Sequence, residues 1–400
     1  MNKRHIFPNV FLTLSLLALA TISCVAIKSA TPIITRLTHP ENLWLKQLFF
    51  YFISFIVIYI TYSFGTERIF NCIWILYGIL LILLLGLVIE RFGFSMFGAH
   101  IVPFAKSVNG ATRWYSLPGF DLQPSEFVKI ILIICTSHVM DKHNKKYPIH
   151  NFHNDCIMIA KAIAVSAPTC ILVFLQNDAG FTSLLLVSII FILFASGLQI
   201  QWFIVGGIAA LLGIGILTYI FIEQHDIFAR LIGSTYRLNR FYGWVDPEGT
   251  YTKQGFQVFN GLISFGTAGM FGHGFQSKVI LFPEAQTDFI FAVIAQSFGF
   301  IGGIITILAI VGCNISLLSI AFQTKQCRYK YFISGLFGLL LFQQIWNISM
   351  VMGSVPITGI TLPLLSYGGS SLLSYMIAFG MVFEIDKQNK ILKLKSYYSN

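Results

Sequence analysis

Apolar stretches of roughly 17 to 23 residues recur from one end of this 400-residue chain to the other, each long enough to cross ~30 Å of hydrocarbon as a helix. They leave no room for a separate soluble domain, so residues 1–400 read as a single integral membrane domain. Only 10% of residues are charged and 56% are hydrophobic, where a soluble protein carries about 25% charged residues. Mean hydropathy is +0.76. Water is the wrong solvent for such a chain.

The predicted fold class is all-α, a polytopic membrane protein with about ten transmembrane helices. The spans fall at 8–28, 47–64, 69–89, 125–141, 157–176, 180–197, 201–222, 288–321, 331–352 and 365–385. An even number puts both termini on one side. The short loops on that side carry Arg68, then Lys142, Lys145 and Lys146, then Lys325, Arg328 and Lys330, and last the tail from Lys387 to Lys395. Lysine and arginine collect in cytoplasmic loops, so both termini are predicted to be cytoplasmic. The same distribution accounts for the net charge of +10 without nucleic acid as a partner, because the basic residues form no soluble face. Lys3 and Arg4 precede the first apolar run as in a signal peptide, but no convincing small-x-small cleavage site follows, and the run is read as a retained helix. The seven cysteines lie in or beside apolar segments without a C-x-x-C pair, which indicates neither a disulfide framework nor a zinc site.

Two connections are long, at about 90–124 and 223–287, and this topology puts both outside, the second between helices 7 and 8. The second holds Gly266, Gly269, Gly272 and Gly274, which are readable simply as turn glycines. The eighth span is too long for a bilayer, since about 34 helical residues would reach ~50 Å. With Gly299, Gly302 and Gly303 in its middle, it is predicted to bend or to project an outer half.

Ionisable groups at membrane depth are costly and need a partner or a water-filled cavity. Six candidates lie near the outer surface: Arg113, Glu126, Lys129, Asp178, Glu284 and Asp288. Structural alternatives stand beside them. Glu126 and Lys129 are three apart on one helix face and could neutralise each other. Asp178 follows Gln176 and Asn177 in a tight turn and could cap the next helix. Asp288, in TDFIFA, could likewise cap the helix that follows, or be surrounded by Glu284 and loop cations. Lys161, about a turn inside the inner end of span five, can snorkel to the headgroups. The small residues of SYGGSS at 366–371 permit either close helix packing or an anion site on free backbone N–H groups.

Taken together, NGATRW (109–114), LQPSEFVK (122–129), QNDAGFT (176–182), YRLNR followed by DP (236–247), LFPEAQTDFIFA (281–292) and PITGITLPLLSYGGSSLL (356–373) resemble one family's motifs, in family order. The family is SEDS (FtsW/RodA/SpoVE-like), the bacterial shape, elongation, division and sporulation proteins. The resemblance implies a ten-helix polymerase that joins lipid II disaccharide units into glycan strands at the outer face of the cytoplasmic membrane. It makes Asp288 the catalytic aspartate and carries over Arg113, Glu126, Lys129 and Asp178 as cavity residues, with Glu284 beside them. Four departures bear on activity and on any metal there: Gln286 for His, Asn177 for Pro, Ser349 for Gly, and Gln296-Ser297 for a common Glu-Glu. SVNGATRW, SLPGFDLQPSEF and YRLNRF look like the division branch and NISMVMG like the elongation branch, with division slightly favoured.

On this resemblance, the 4-hydroxyl of an acceptor sugar attacks C1 of a lipid-linked donor and expels undecaprenyl pyrophosphate with inversion. Asp288 is the expected base, and Arg113 and Lys129 the expected cations for the departing pyrophosphate. No cofactor is certain and no protein metal cage is expected, although a divalent cation, Mg or Mn, could share that work. Two rival functions stay open. One is a flippase or transporter of a lipid-linked precursor, against which the one-sided clustering of charge counts; the other is a non-catalytic division scaffold. The chain has no S-x-x-K, and its longest outer loop, about 65 residues, is below the usual domain size. Crosslinking is therefore expected from a partner. The resemblance points to a class B penicillin-binding protein, with other division or elongation proteins alongside it.

Overall fold

The computed structural model describes residues 9–38, 42–98, 100–108, 111–118, 120–224, 227–228, 235–253 and 255–398. Lys3 and Arg4, and Asn109 and Gly110 of NGATRW, lie outside the described residues, as do the side chains of Tyr236 and Arg237 in YRLNR. The chain runs through α1 (Val10–Thr38), α2 (Leu43–Phe64), α3 (Thr66–Phe97), a small sheet, α4 (Pro124–Lys146), α5 (Phe152–Leu175), α6 (Ala179–Ala195) and α7 (Ile200–Glu223). Then follow α8 (Thr235–Val245), α9 (Phe256–Ala268), α10 (Ile290–Gln323), α11 (Cys327–Val351) and α12 (Gly369–Tyr398). Every expected span coincides with a helix, and α8 and α9 lie inside the long connection. The chain is a multi-pass helical membrane protein.

Seven helices, α1, α2, α3, α5, α7, α10 and α11, are long and apolar enough to cross a membrane, and α6 is a shorter apolar helix. α4 and α12 coincide with expected spans but do not meet that apolar criterion. Packing explains α4. It is surrounded by α3, α5, α6, α11 and α12, and Val128 to Ser137 are all buried, so it meets protein rather than lipid and needs no apolar outer face. α7 is the converse: none of its residues is buried, and Ile204, Ile208, Leu211 and Leu217 are exposed. An all-round apolar surface of that kind is solvated by hydrocarbon.

The first long connection contributes what the helical pattern does not announce, an antiparallel sheet of β1 (Ala105–Val108), β2 (Ala111–Leu117) and β3 (Phe120–Leu122) in that order. Its strands are only 3 to 7 residues long, too short for alternation to stand out. Buried Glu90 at the end of α3 anchors it by accepting from the N–H groups of Ile101 (2.9 Å) and Val102 (2.7 Å). The Tyr115 hydroxyl donates to Leu83 O at 2.8 Å.

α10 breaks at Gly299 (φ 64, ψ −156), where the sequence predicts a bend. This backbone region is essentially closed to residues with a Cβ. The loop after α9 supplies the hydrogen bonds the break releases. Phe300 N–H donates to Gly269 O (3.0 Å) and Ile301 N–H to Met270 O (3.2 Å), while His273 and Gly274 donate to Gln296 O (2.7 Å) and Ser297 O (3.2 Å). The two backbones touch, for a Cβ on Gly299 would lie 2.4 Å from Gly272 N. Gly269, Gly272 and Gly274 are thus more than turn residues. They let a loop lie against the kink and fix the buried outer segment Ile290–Ser297.

The basic loops meet at one pole. Arg328 pairs with Glu67 across the α2–α3 and α10–α11 connections, and Asn144 Nδ2 donates to Ser196 O at 2.6 Å. The six candidate residues lie at the other pole, around the starts of α4, α6 and α10.

Candidate active site

Asp288 stands in the turn before α10, and no side chain caps that helix, so the capping alternative does not account for it. Its main chain is held from several directions. Asn347 Nδ2 donates to Asp288 O (2.8 Å) and to Ile360 O (2.7 Å). Ser366 Oγ donates to Thr287 O (2.6 Å), and Tyr367 N–H to Gln286 O (2.8 Å). The segment between α11 and α12 therefore cradles the aspartate turn. Behind it, Ser23 Oγ of α1 donates to Leu365 O (2.7 Å) and the Tyr51 hydroxyl of α2 to Leu364 O. The rest of SYGGSS is absorbed by packing: a Cβ on Gly369 would meet the Phe50 ring at 2.8 Å, and Ser370 Oγ donates to Asp121 O at 2.9 Å.

Among the described side chains, a cation from the long outer connection, Arg240, stands close to Asp288. Gly359 (φ +77) lies between them: the point its Cβ would occupy is 3.3 Å from Arg240 Nη1 and 3.5 Å from Asp288 Oδ2. Arg240 Nη1 also donates to Ile357 O at 3.4 Å. Arg240 is absent from the six candidates. Its available signal was the YRLNR motif, an arginine on a short outer segment that topology alone does not bring to Asp288.

β2 delivers Arg113, whose Nη1 lies 3.3 Å from Asp178 Oδ2 and whose Nη2 donates to Asn177 O at 2.6 Å. Asn177 takes φ 66, a left-handed conformation that asparagine tolerates and proline cannot adopt. The departure from Pro here thus comes with a different turn. Asp178 Oδ1 accepts from Phe181 N–H at 3.2 Å, so this residue both caps α6 and pairs with Arg113.

Burial pushes the Asp288 carboxyl up to about 6, with Arg240 and Arg113 opposing the rise and Glu284 and Asp178 adding to it. Burial also raises Asp178, against the pull of Arg113, the Phe181 N–H and Arg240, while Glu126 reinforces it. These mutual effects put Arg113, Glu126, Asp178, Arg240, Glu284 and Asp288 in one electrostatic neighbourhood. Glu284 is exposed, at φ 55, and accepts from Thr287 Oγ1 at 2.7 Å.

Lys129 is set deeper. It is wholly buried, pairs with Glu126, and lies 3.7 Å from the centroid of the Tyr375 ring. The neutralising pair is therefore real, and a ligand would reach this ammonium only by opening it. Lys161 stays at the opposite pole, 3.1 Å from His143 Nδ1. Gln296 and Ser297 are buried and bonded to neutral hydroxyls, Gln296 Oε1 to Ser264 Oγ (3.0 Å) and Ser297 Oγ to Ser29 Oγ (2.7 Å). Uncharged residues suit those positions. Among the described residues no group of three His, Cys, Asp or Glu side chains is placed to hold a metal ion.

Chemically, a carboxylate poised near 6 is mostly ionised at neutral pH yet basic enough to accept a proton. Arginines beside it can receive an anion.

The family model of FtsW, RodA and SpoVE, described as cell cycle protein, matches residues 9–391. The chain is 30% identical to the probable peptidoglycan glycosyltransferase FtsW of Dichelobacter nodosus, over 98% of this chain and 93% of that one. It is 28% identical to stage V sporulation protein E of Bacillus subtilis, over 70% of this chain and 73% of the relative. Its fold matches a chain from a peptidoglycan synthase complex that coordinates polymerization and crosslinking (TM-score 0.75, 22% identity, 96% of this chain and 99% of that one). It also matches the rod shape determining protein RodA of Thermus thermophilus (TM-score 0.66, 21% identity, 97% and 99%). Six motifs in family order, the shared fold and a match over nearly the whole length agree: the chain belongs to the FtsW/RodA/SpoVE family of cell cycle proteins.

Proposed function

We propose that this protein is a peptidoglycan glycosyltransferase that polymerises lipid II at the outer face of the bacterial cytoplasmic membrane, with Asp288 as base. The observation that carries this is the Asp288 turn: a carboxyl raised to about 6, locked by Asn347 and Ser366, with Arg240 and Arg113 in its field. The acceptor 4-hydroxyl attacks C1 of the donor while its proton passes to Asp288. The C1–O bond to pyrophosphate breaks, and its electron pair leaves with undecaprenyl pyrophosphate. Arg113 and Arg240 oppose the charge on that leaving group. Lys129 acts from behind, by fixing Glu126 beside Asp178. A divalent cation would need no protein cage here. Glu284 or Asp178 would hold such an ion, which would supply further neutralisation of the leaving group's charge.

Lipid tails solvate the exposed outer surfaces while the sugars meet the charged pole, which suits an amphipathic lipid-linked donor. The basic loops favour cytoplasmic termini, and the family's name-bearing FtsW relatives favour the division branch. For crosslinking, a class B penicillin-binding protein is the proposed partner, together with other division or elongation proteins. A flippase would need a polar route to the opposite pole, where Lys161 is engaged with His143.

The test is polymerisation of purified lipid II by the full-length protein, with and without a cognate class B protein. Asp288→Asn keeps size but removes basicity, and is expected to lower the rate at least ~100-fold, the lower end of general-base contributions, while folded protein still accumulates. Wild-type polymerisation by this variant removes Asp288 as base. No polymerisation by the wild type in either arm favours the scaffold.

A further inference from the structure

At the pole opposite Asp288, a cavity of about 390 Å³ is lined by Asp141, Lys145, Lys325, Gln326, Cys327 and Arg328. The mechanism uses none of them. The cavity opens where α4 ends and α11 begins, and three of its six lining residues are cationic. Asp141 is 5% exposed and already paired with Lys145 (2.6 Å), whose side chain as a whole stays 73% exposed. Arg328 is held in place by Glu67 and by the faces of Tyr329 (4.9 Å) and Phe70 (5.2 Å). Lys325 and Lys142 are exposed. Counting Glu67, which pairs with Arg328, three cations face two carboxylates, and the N-terminal end of α11 adds a partial positive charge. Exposed apolar side chains stand close by in sequence: Phe322, three residues before Lys325, is 80% exposed, and Phe64, three before Glu67, is 47% exposed.

We propose that this cavity binds the phosphate of an anionic phospholipid headgroup from the leaflet opposite the polymerising site, with the acyl chains running along the neighbouring apolar side chains. A phosphate is the ligand that several converging cations prefer. The exposed phenylalanines close by in sequence favour one that carries hydrocarbon, the arrangement by which basic pockets between transmembrane helices retain acidic lipids. Lys325, exposed at the cavity, and Lys145, whose long exposed side chain also pairs with Asp141, are the residues that close on the headgroup. Arg328, fixed by its stacking, sets the position.

The full-length protein, purified in mild detergent and titrated with phosphatidylglycerol, is observed by native mass spectrometry. Wild type is expected to retain one phosphatidylglycerol more tightly than phosphatidylcholine. Lys145→Gln combined with Lys325→Gln is expected to weaken that retention, roughly fivefold for each cation removed. Lys253→Gln combined with Lys278→Gln removes the same net charge elsewhere and is expected to leave it unchanged. Inorganic phosphate at millimolar concentration is the competing source of the same chemistry. Displacement of the lipid by phosphate alone would assign the cavity to a free anion and overturn the lipid assignment. Equal retention by wild type and the Lys145/Lys325 variant would overturn the site itself. If that variant does not accumulate, Lys325→Gln alone, at an exposed position, is expected to show about half the effect on a logarithmic scale, and its failure to weaken retention would likewise overturn the site.

Discussion

Removing Arg240 should move the acidic limb of the polymerisation pH profile upward. Asp288 Oδ2 and Arg240 Nη1 lie 3.5 and 3.3 Å from a common point over Gly359, so they are at most about 7 Å apart. At that distance and an effective dielectric constant of about 20, the attraction is ~2.4 kcal/mol. Both side chains are only partly buried by surface exposure, and solvent screening reduces this to ~1 kcal/mol, or about 0.7 pH unit. The sign follows from the charges. Arg240 favours the ionised carboxylate, so Arg240→Gln raises a pKa that already stands at about 6. Near pH 7 the ionised share of Asp288 then falls from about nine-tenths to about two-thirds. Well above pH 8 the two proteins differ only by what Arg240 contributes to substrate binding and to neutralising the departing pyrophosphate. The assay is the initial rate of lipid II polymerisation between pH 5 and 8.5, with the proposed class B partner present. Arg240→Lys retains the charge and should leave the limb near its wild-type position. An acidic limb that does not move in Arg240→Gln, or moves downward, refutes the electrostatic coupling.

Three further outcomes are expected. Lys129→Met strands the buried Glu126 and should cost ~3–5 kcal/mol, seen as a lower thermal unfolding midpoint in mild detergent, with Glu126→Gln in the same chain restoring much of it; an unchanged midpoint would mean that the ammonium is not buried as described. Gly299→Ala introduces a Cβ 2.4 Å from Gly272 N at a left-handed φ and should destabilise by at least ~1–3 kcal/mol, whereas Gly266→Ala, with open space around it, should not share that steric cost. Asn347→Leu removes both side-chain bonds to the Asp288 and Ile360 carbonyls, and its polymerisation rate should fall by more than the ~1–3 kcal/mol stability loss alone would cause; a full rate per folded molecule would show that the turn keeps its position without Asn347.

What the sequence discloses here depends on the range of the interaction. Membrane crossing is a local property of some twenty residues, so each expected span falls on a helix, and the pole shared by Lys142, Lys325 and Arg328 follows from loop charge. The Glu126–Lys129 pair is also local, one turn of one helix. The break at Gly299 is visible as a glycine in an overlong span, but the loop that completes it makes backbone contacts, and Gly269 and Gly272 advertise only turns. Arg240 escapes for a stronger reason. Its position opposite Asp288 depends on Gly359, over 100 residues away in sequence, and on the segment that Asn347, Ser23 and Tyr51 pin in place. No single stretch encodes that meeting. The family motifs mark its participants one by one, and their common logic emerges only when Ser366 and Tyr367 are found bonded to the main chain beside Asp288. Much of the PITGITLPLLSYGGSS segment supports the turn rather than touching substrate: Ile360 shares Asn347 with Asp288, Thr358 Oγ1 accepts from Trp346 (2.8 Å), and Leu364 holds φ 64 under the Tyr51 hydroxyl. A carboxylate that must stay partly desolvated and still meet a large lipid-linked substrate needs such rigid support, which accounts for a long motif carrying no acidic or basic side chain of its own.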